Sequence, residues 1–315
     1  MRSSMWKAAE LPSVSLDGSD QRKRIVELLS TASLELSTAD HGAIDTSRAF
    51  LPPRSEVYIN FVPGDSYDDV ISKTAQLSRA GFRPVPHIAV RHLTGFTQLH
   101  DVLARARDAG VKRALLIAGD LDRPVGPFHS SLEVIETGLL AKHDIQTVGI
   151  AGYPEGHPKI GAAALDAALD AKLRRLHRDG IAPYIVTQFC FDAAPILGWL
   201  VRIRAAGIDA PVRIGLAGPA SIATLAKFAV RCGIGNSILA LVGGQTSVAR
   251  LLVESGPEMV ISALAASDLA GLGVEGLHLF TFGGLVRTGK WLRAAAEGGF
   301  ALAANGGFRV KGGTP

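Results

Sequence analysis

Short apolar runs recur along this 315-residue chain, and an amphipathic stretch follows nearly every one. The runs are Ala32–Leu36, Val57–Val62, Arg83–Ala89, Arg113–Ala118, Thr147–Gly152, Tyr184–Phe189, Pro211–Leu216 and Leu277–Phe282. Each is continuous rather than alternating, the pattern of a strand buried on both faces of a parallel sheet. The stretches between them, Ser66–Ala80, Leu99–Gly110, Ser130–Lys142, Ala162–Gly180, Ala193–Gly207 and Ser221–Gly233, read as helices. Several stop at a glycine, the residue that most easily takes the left-handed conformation past a helix end. Asp192 and Ser221 stand where N-caps belong. Eight strands alternating with helices predict a (β/α)8 TIM barrel in a single domain over residues 26–308. Residues 1–25 are expected to be an N-terminal extension and 309–315 a flexible tail. A doubly wound open sheet would need a glycine-rich phosphate loop after its first strand, and Ser37-Thr38-Ala39-Asp40 follows here.

Composition narrows the function classes. The net charge is 33 − 29 = +4, with the cations scattered, so no nucleic-acid patch is expected. No apolar stretch approaches the ~20 residues of a membrane span, and no signal-peptide core opens the chain. Two cysteines, Cys190 and Cys232, make neither a disulfide framework nor a CxxC metal site. A reduced, cytoplasmic protein is the expectation. Two nucleotide motifs fail in context. Gly271–Gly276 spells GxGxxG but lies between a helix and a strand, the reverse of the dinucleotide order. Gly284–Lys290 spells GxxxxGK, but Trp291 stands where a Mg²⁺-binding hydroxyl is required.

In a (β/α)8 barrel the chemistry sits where strands end, and these ends are polar. Glu35 lies in the first run, Asn60 at the second, His87 in the third, and Gly119-Asp120 follows the fourth. The fifth opens into Tyr153-Pro154-Glu155-Gly156-His157-Pro158, stiffened by its prolines. The sixth gives Thr187, Gln188 and Asp192. A carboxylate is almost never buried without a partner, so Glu35 within an apolar strand points to a site. No HxH or HExxH spacing supports a metal centre.

Several ordered motifs resemble the methylenetetrahydrofolate reductase family. They are Ser33-Leu34-Glu35-Leu36, Val85-Pro86-His87, Gly119-Asp120-Leu121, Ala151–Pro158, Val186–Asp192 and Leu279-Phe280-Thr281. The resemblance implies hydride transfer through FAD between NADH or NADPH and a folate, either reducing methylenetetrahydrofolate or oxidising methyltetrahydrofolate, in a homo-oligomer. It makes Glu35 the general acid that opens the folate's imidazolidine ring, a role suited to a carboxyl that burial holds protonated near neutral pH. Asp120 and Gln188 complete the catalytic set. Asn60, His87, Gly119, Asp120, Ser130, Tyr153, His157, Asp166 and Lys172 would hold FAD. Gln188, Ile222 and Arg287 would contact the folate. The chain departs from the family at Asn60 (a Thr), Ala118 (an Arg), Ile222 (an aromatic) and Gly283-Gly284 (an Arg). Two other readings stay open: a barrel hydrolase or lyase using Glu35 with His87 or His157, and a non-catalytic folate- or flavin-binding subunit.

Overall fold

The structure is a computed structural model, and it describes residues 17–232 and 254–311. Eight parallel strands close into a barrel: β1 (Ser33–Leu36), β2 (Glu56–Ile59), β3 (Arg83–Ala89), β4 (Arg113–Ile117), β5 (Thr147–Gly152), β6 (Ala182–Thr187), β7 (Val212–Ala217) and β8 (Val274–Phe280). Neighbours in sequence are neighbours in space, and β8 closes on β1 with Ser33 opposite His278. The (β/α)8 barrel expected from the apolar runs is therefore the fold. Only the borders move. The strand expected from Leu277 begins at Val274, ahead of a register shift at Gly276. The helix expected over Ser130–Lys142 divides into Ser131–Glu136 and Leu139–Lys142 at Gly138, whose φ of 69° interrupts the helical path.

The helices form where local chemistry starts them. α1 (Gly18–Ser30) is capped by Asp17, and α3 (Tyr67–Arg79, after the short α2 at Ala43–Ser47) by a capping box of Ser66 and Asp69. Asp192 accepts from Ala194 N and Ser221 from Thr224 N, as expected of N-caps. The apolar faces pack on the barrel in one large core. α1 belongs to it: Ile25 and Leu29 are buried, and Arg22 donates to the carbonyls of Gly298 and Phe300. Phe308–Val310 pairs antiparallel with Phe300–Leu302, so ordered structure continues into the stretch expected to be a tail. Gly271–Gly273 is a helix-to-strand loop, and Trp291 donates to Glu258 Oε1, so neither nucleotide motif is built.

The barrel interior is layered. Among the residues that line it, Arg113 and Arg213 hold Glu56 and Glu275 in a four-charge network. The Arg113 guanidinium also lies 4.6 Å over the ring of Tyr184, whose hydroxyl meets that of Tyr58 at 2.9 Å. Burial pushes the Tyr58 phenol up to about 12. The Tyr58 ring touches those of His278 and His87, so the next layer is the histidines and Glu35.

Candidate active site

Four strands bring one cluster together. Glu35 on β1 is 4% exposed. Its Oε1 lies 3.3 Å from Nε2 of His278 on β8 and 3.6 Å from Nε2 of His87 on β3. The amide of Asn60, just past β2, donates to Oε2 at 3.4 Å. Behind His278, Nδ1 meets the Ser33 hydroxyl at 2.9 Å, and Thr281 Oγ1 donates to the Glu35 carbonyl at 3.0 Å. The expectation of a protonated Glu35 is corrected here. Burial pushes the carboxyl up, but the His278 hydrogen bond, the closeness of the two imidazoles and the Asn60 amide together hold it below its ordinary value. Burial pushes His87 down to about 4, against the pull of Glu35, so its imidazole is neutral at neutral pH. The cluster is a carboxylate in an apolar barrel, hydrogen-bonded by His278 and Asn60 with the His87 imidazole beside it. That arrangement can take up and return a proton.

Two of its atoms lack a hydrogen-bond partner: Asn60 Oδ1 and His87 Nε2. Buried polar atoms are normally satisfied, so such orphans mark a place where a ligand belongs. Lys172, on the helix Ala162–Arg178, is pushed down from its ordinary value by burial. All three residues are ones the family resemblance assigns to FAD, and the unmet polar atoms of Asn60 and His87 fit such a ligand.

The remaining expected residues fall in separate groups. Gly119, with φ 90°, turns the chain so that Asp120 meets His92 at 2.9 Å. Tyr153 and His157 face one another edge to face at 5.3 Å, and His157 Nδ1 accepts from Lys159 N. Burial lowers the His157 imidazole first, helped by Lys159 and Arg91. Gln188 is half-buried, with its Oε1 turned back onto Phe189 N. Ser130 precedes its helix without capping it. Ile222 is buried. Asp166 is half-exposed and ion-paired with Arg202 at 2.6 Å. Arg287 and Lys290 line a cleft of about 780 Å³ with Asp40, His41 and Gly283, where the loops after β1 and β8 meet. Ala118 offers no side-chain donor. The nearby Arg91 instead donates to the carbonyls of Leu121 and His129 at 2.9 Å each, pinning the β4 loop. Among the described residues no group of three or more His, Cys, Asp or Glu could hold a metal, and no helix is long and apolar enough to cross a membrane.

Sequence reasoning passed over His278 and His92. His278 carried the same signal as Glu35, an ionisable residue inside an apolar strand. His92 carried none, because its partner comes from another loop.

Fold and site define a (β/α)8 barrel with a buried acid–imidazole cluster assembled from its first, second, third and last strands. The methylenetetrahydrofolate reductase family model matches residues 69–284, and the chain belongs to that family. Methylenetetrahydrofolate reductase 2 of Saccharomyces cerevisiae is 30% identical over 150 residues, 45% of this chain and 24% of the yeast protein. Methylenetetrahydrofolate reductase 1 of Schizosaccharomyces pombe is 30% identical over 122 residues, 36% of this chain and 19% of that protein. The alignments thus span a quarter or less of these relatives. A solved structure of similar fold is an uncharacterized protein from Clostridium thermocellum that binds two copies of 5-methyl-5,6,7,8-tetrahydrofolic acid. It has a TM-score of 0.51 and 13% identity, over 84% of this chain and 93% of the other.

Proposed function

We propose that this protein interconverts 5,10-methylenetetrahydrofolate and 5-methyltetrahydrofolate. The observation that carries the reading is the buried Glu35, held by His278, His87 and Asn60 inside a barrel of this family. Hydride transfer between NADH or NADPH and the folate is the chemistry FAD would supply here. Asn60, His87 and Lys172 would hold FAD, with Gly119, Ser130, Tyr153, His157 and Asp166 as further contacts.

The chain's own part is a proton. In the reducing direction Glu35 donates from its carboxyl oxygen to the folate nitrogen that leaves the methylene carbon, opening the five-membered ring to an iminium. In the oxidising direction Glu35 accepts that proton back as the ring closes. The unliganded site favours the carboxylate, the form that accepts the proton in the oxidising direction. Reduction requires Glu35 to take up a proton first, and a folate that displaces water from the carboxyl would promote this. Asp120 and Gln188 would hold the pterin, with Ile222 and Arg287 toward the tail.

The test is direct. The purified protein is examined for the visible absorbance of bound flavin, before and after FAD is added, and is then mixed anaerobically with 5-methyltetrahydrofolate, first alone to read bleaching and then with an electron acceptor to read turnover. Flavin bleaching by the folate supports the reading. A colourless protein that neither takes up FAD nor turns over the folate would overturn it.

A further inference from the structure

The mouth of the barrel holds a second acid–imidazole pair, whose histidine no motif points to. His92 ends the 3-10 turn Val90–His92 that follows β3, and its Nε2 lies 2.9 Å from Asp120 Oδ1. The histidine side chain is 16% exposed and the aspartate 40%, so the imidazole is the anchored partner. Its ring packs on Phe61 at 4.7 Å, and Phe61 packs on Tyr67 at 4.9 Å. From the other side the ring crowds Gly119: a Cβ there would lie 3.1 Å from His92 Cδ2. Glycine at 119 therefore serves both the left-handed turn and the seat of the imidazole. Arg91, one residue earlier, fixes the backbone of the same loop through Leu121 and His129. Adjacent residues thus divide the work, Arg91 holding the loop and His92 its carboxylate.

We propose that His92 is a positioning residue for Asp120, fixing the carboxylate where it meets the pterin. This deepens the proposed function and rests on it. A flexible, half-exposed aspartate would lose rotamer freedom each time a folate bound. A partner locked by packing removes much of that cost in advance.

The test is a mutant cycle read as binding of 5-methyltetrahydrofolate by calorimetry, on proteins whose folding is confirmed by circular dichroism. His92→Phe keeps the ring packing and loses the donor. It should weaken binding about tenfold, the order of a hydrogen bond to a charged group. His92→Gln, which returns a donor near the Nε2 position, should recover most of that loss, which a merely structural role would not allow. Adding His92→Phe to Asp120→Ala should cost nothing further. A wild-type protein that binds while His92→Phe binds as tightly, or while the two losses add, overturns the role of His92 alone. A wild-type protein that binds no folate overturns the proposed function, and this role with it.

Discussion

Nε2 of His278 lies 3.3 Å from Oε1 of Glu35, across the seam where the last strand closes on the first. The two residues are 243 positions apart in the chain, and only barrel closure brings them together. Of the contacts that lower the Glu35 carboxyl, this hydrogen bond is the largest. Replacing His278 with Ala should therefore raise it. In the proposed reaction, reduction needs the protonated acid, so its rate should fall as pH rises through the Glu35 titration. In His278→Ala that fall should move to higher pH. The pH profile of the folate half-reaction decides the matter, and a limb that stays put or moves down would refute the coupling.

Glu35→Gln keeps the size and polarity of the side chain but cannot carry the proton. General acid–base catalysis contributes roughly 10²–10⁴-fold. We expect the folate half-reaction to slow by at least about a hundredfold, while reduction by nicotinamide, which needs no such proton, changes little. Rapid mixing separates the two half-reactions. Equal losses in both would assign Glu35 to architecture instead of proton transfer.

His87 links the site to stability. Its imidazole lies near 4 in the folded protein, mainly through burial, against 6.5 as the ordinary value. Between those values the unfolded chain binds a proton that the folded protein does not. The contribution of this group to stability is therefore fully present above pH 6.5 and is lost as pH drops toward 4. At about 1.4 kcal/mol per unit, the loss from this group approaches ~3 kcal/mol. Glu35 acts in a lower window: its depressed carboxyl stabilises the fold above the unfolded value of 4.5, and that contribution fades as pH falls below it. Urea denaturation from pH 7 to 4.5 should show a shallower decline for His87→Gln than for wild type. Parallel curves would mean that the histidine is not held neutral.

The barrel was legible because strands buried on both faces announce themselves as apolar runs, and all eight were placed. β8 was read three residues short because Val274–Gly276 looks like loop; a bulge at Gly276, close against Thr31, carries the strand through it. Glu35, Asn60 and His87 were legible as polar residues out of place, and the structure does bring them together. The charge state of Glu35 was not. Burial alone predicts a raised carboxyl, and the donors that reverse it, His278 and Asn60, come from the last strand and from the end of the second. Pairings across loops, such as His92 with Asp120, leave no local trace. The pairing of Asp166 with Arg202 on the next helix is likewise set by helix packing and has no local signature.

Gly149 tests the layered interior. It lies in β5 opposite Tyr184, where an added Cβ would sit 2.6 Å from the ring carbon Cζ and 2.7 Å from the hydroxyl. Tyr184 cannot yield easily: its hydroxyl is bonded to Tyr58, and Arg113 stacks on its ring. The Tyr58 ring in turn supports His278 at 4.4 Å. Gly149→Ala should cost about 1–3 kcal/mol, the usual range for overpacking a close-packed core, seen as a lower denaturation midpoint. The displaced Tyr58 should also loosen His278 against Glu35, so the pH limb of the folate half-reaction should move in the same direction as in His278→Ala. Alanine at 149 with an unchanged midpoint would show that the tyrosine layer has room to spare. A lowered midpoint with an unmoved pH limb would show that this layer supports the barrel without tuning the acid above it.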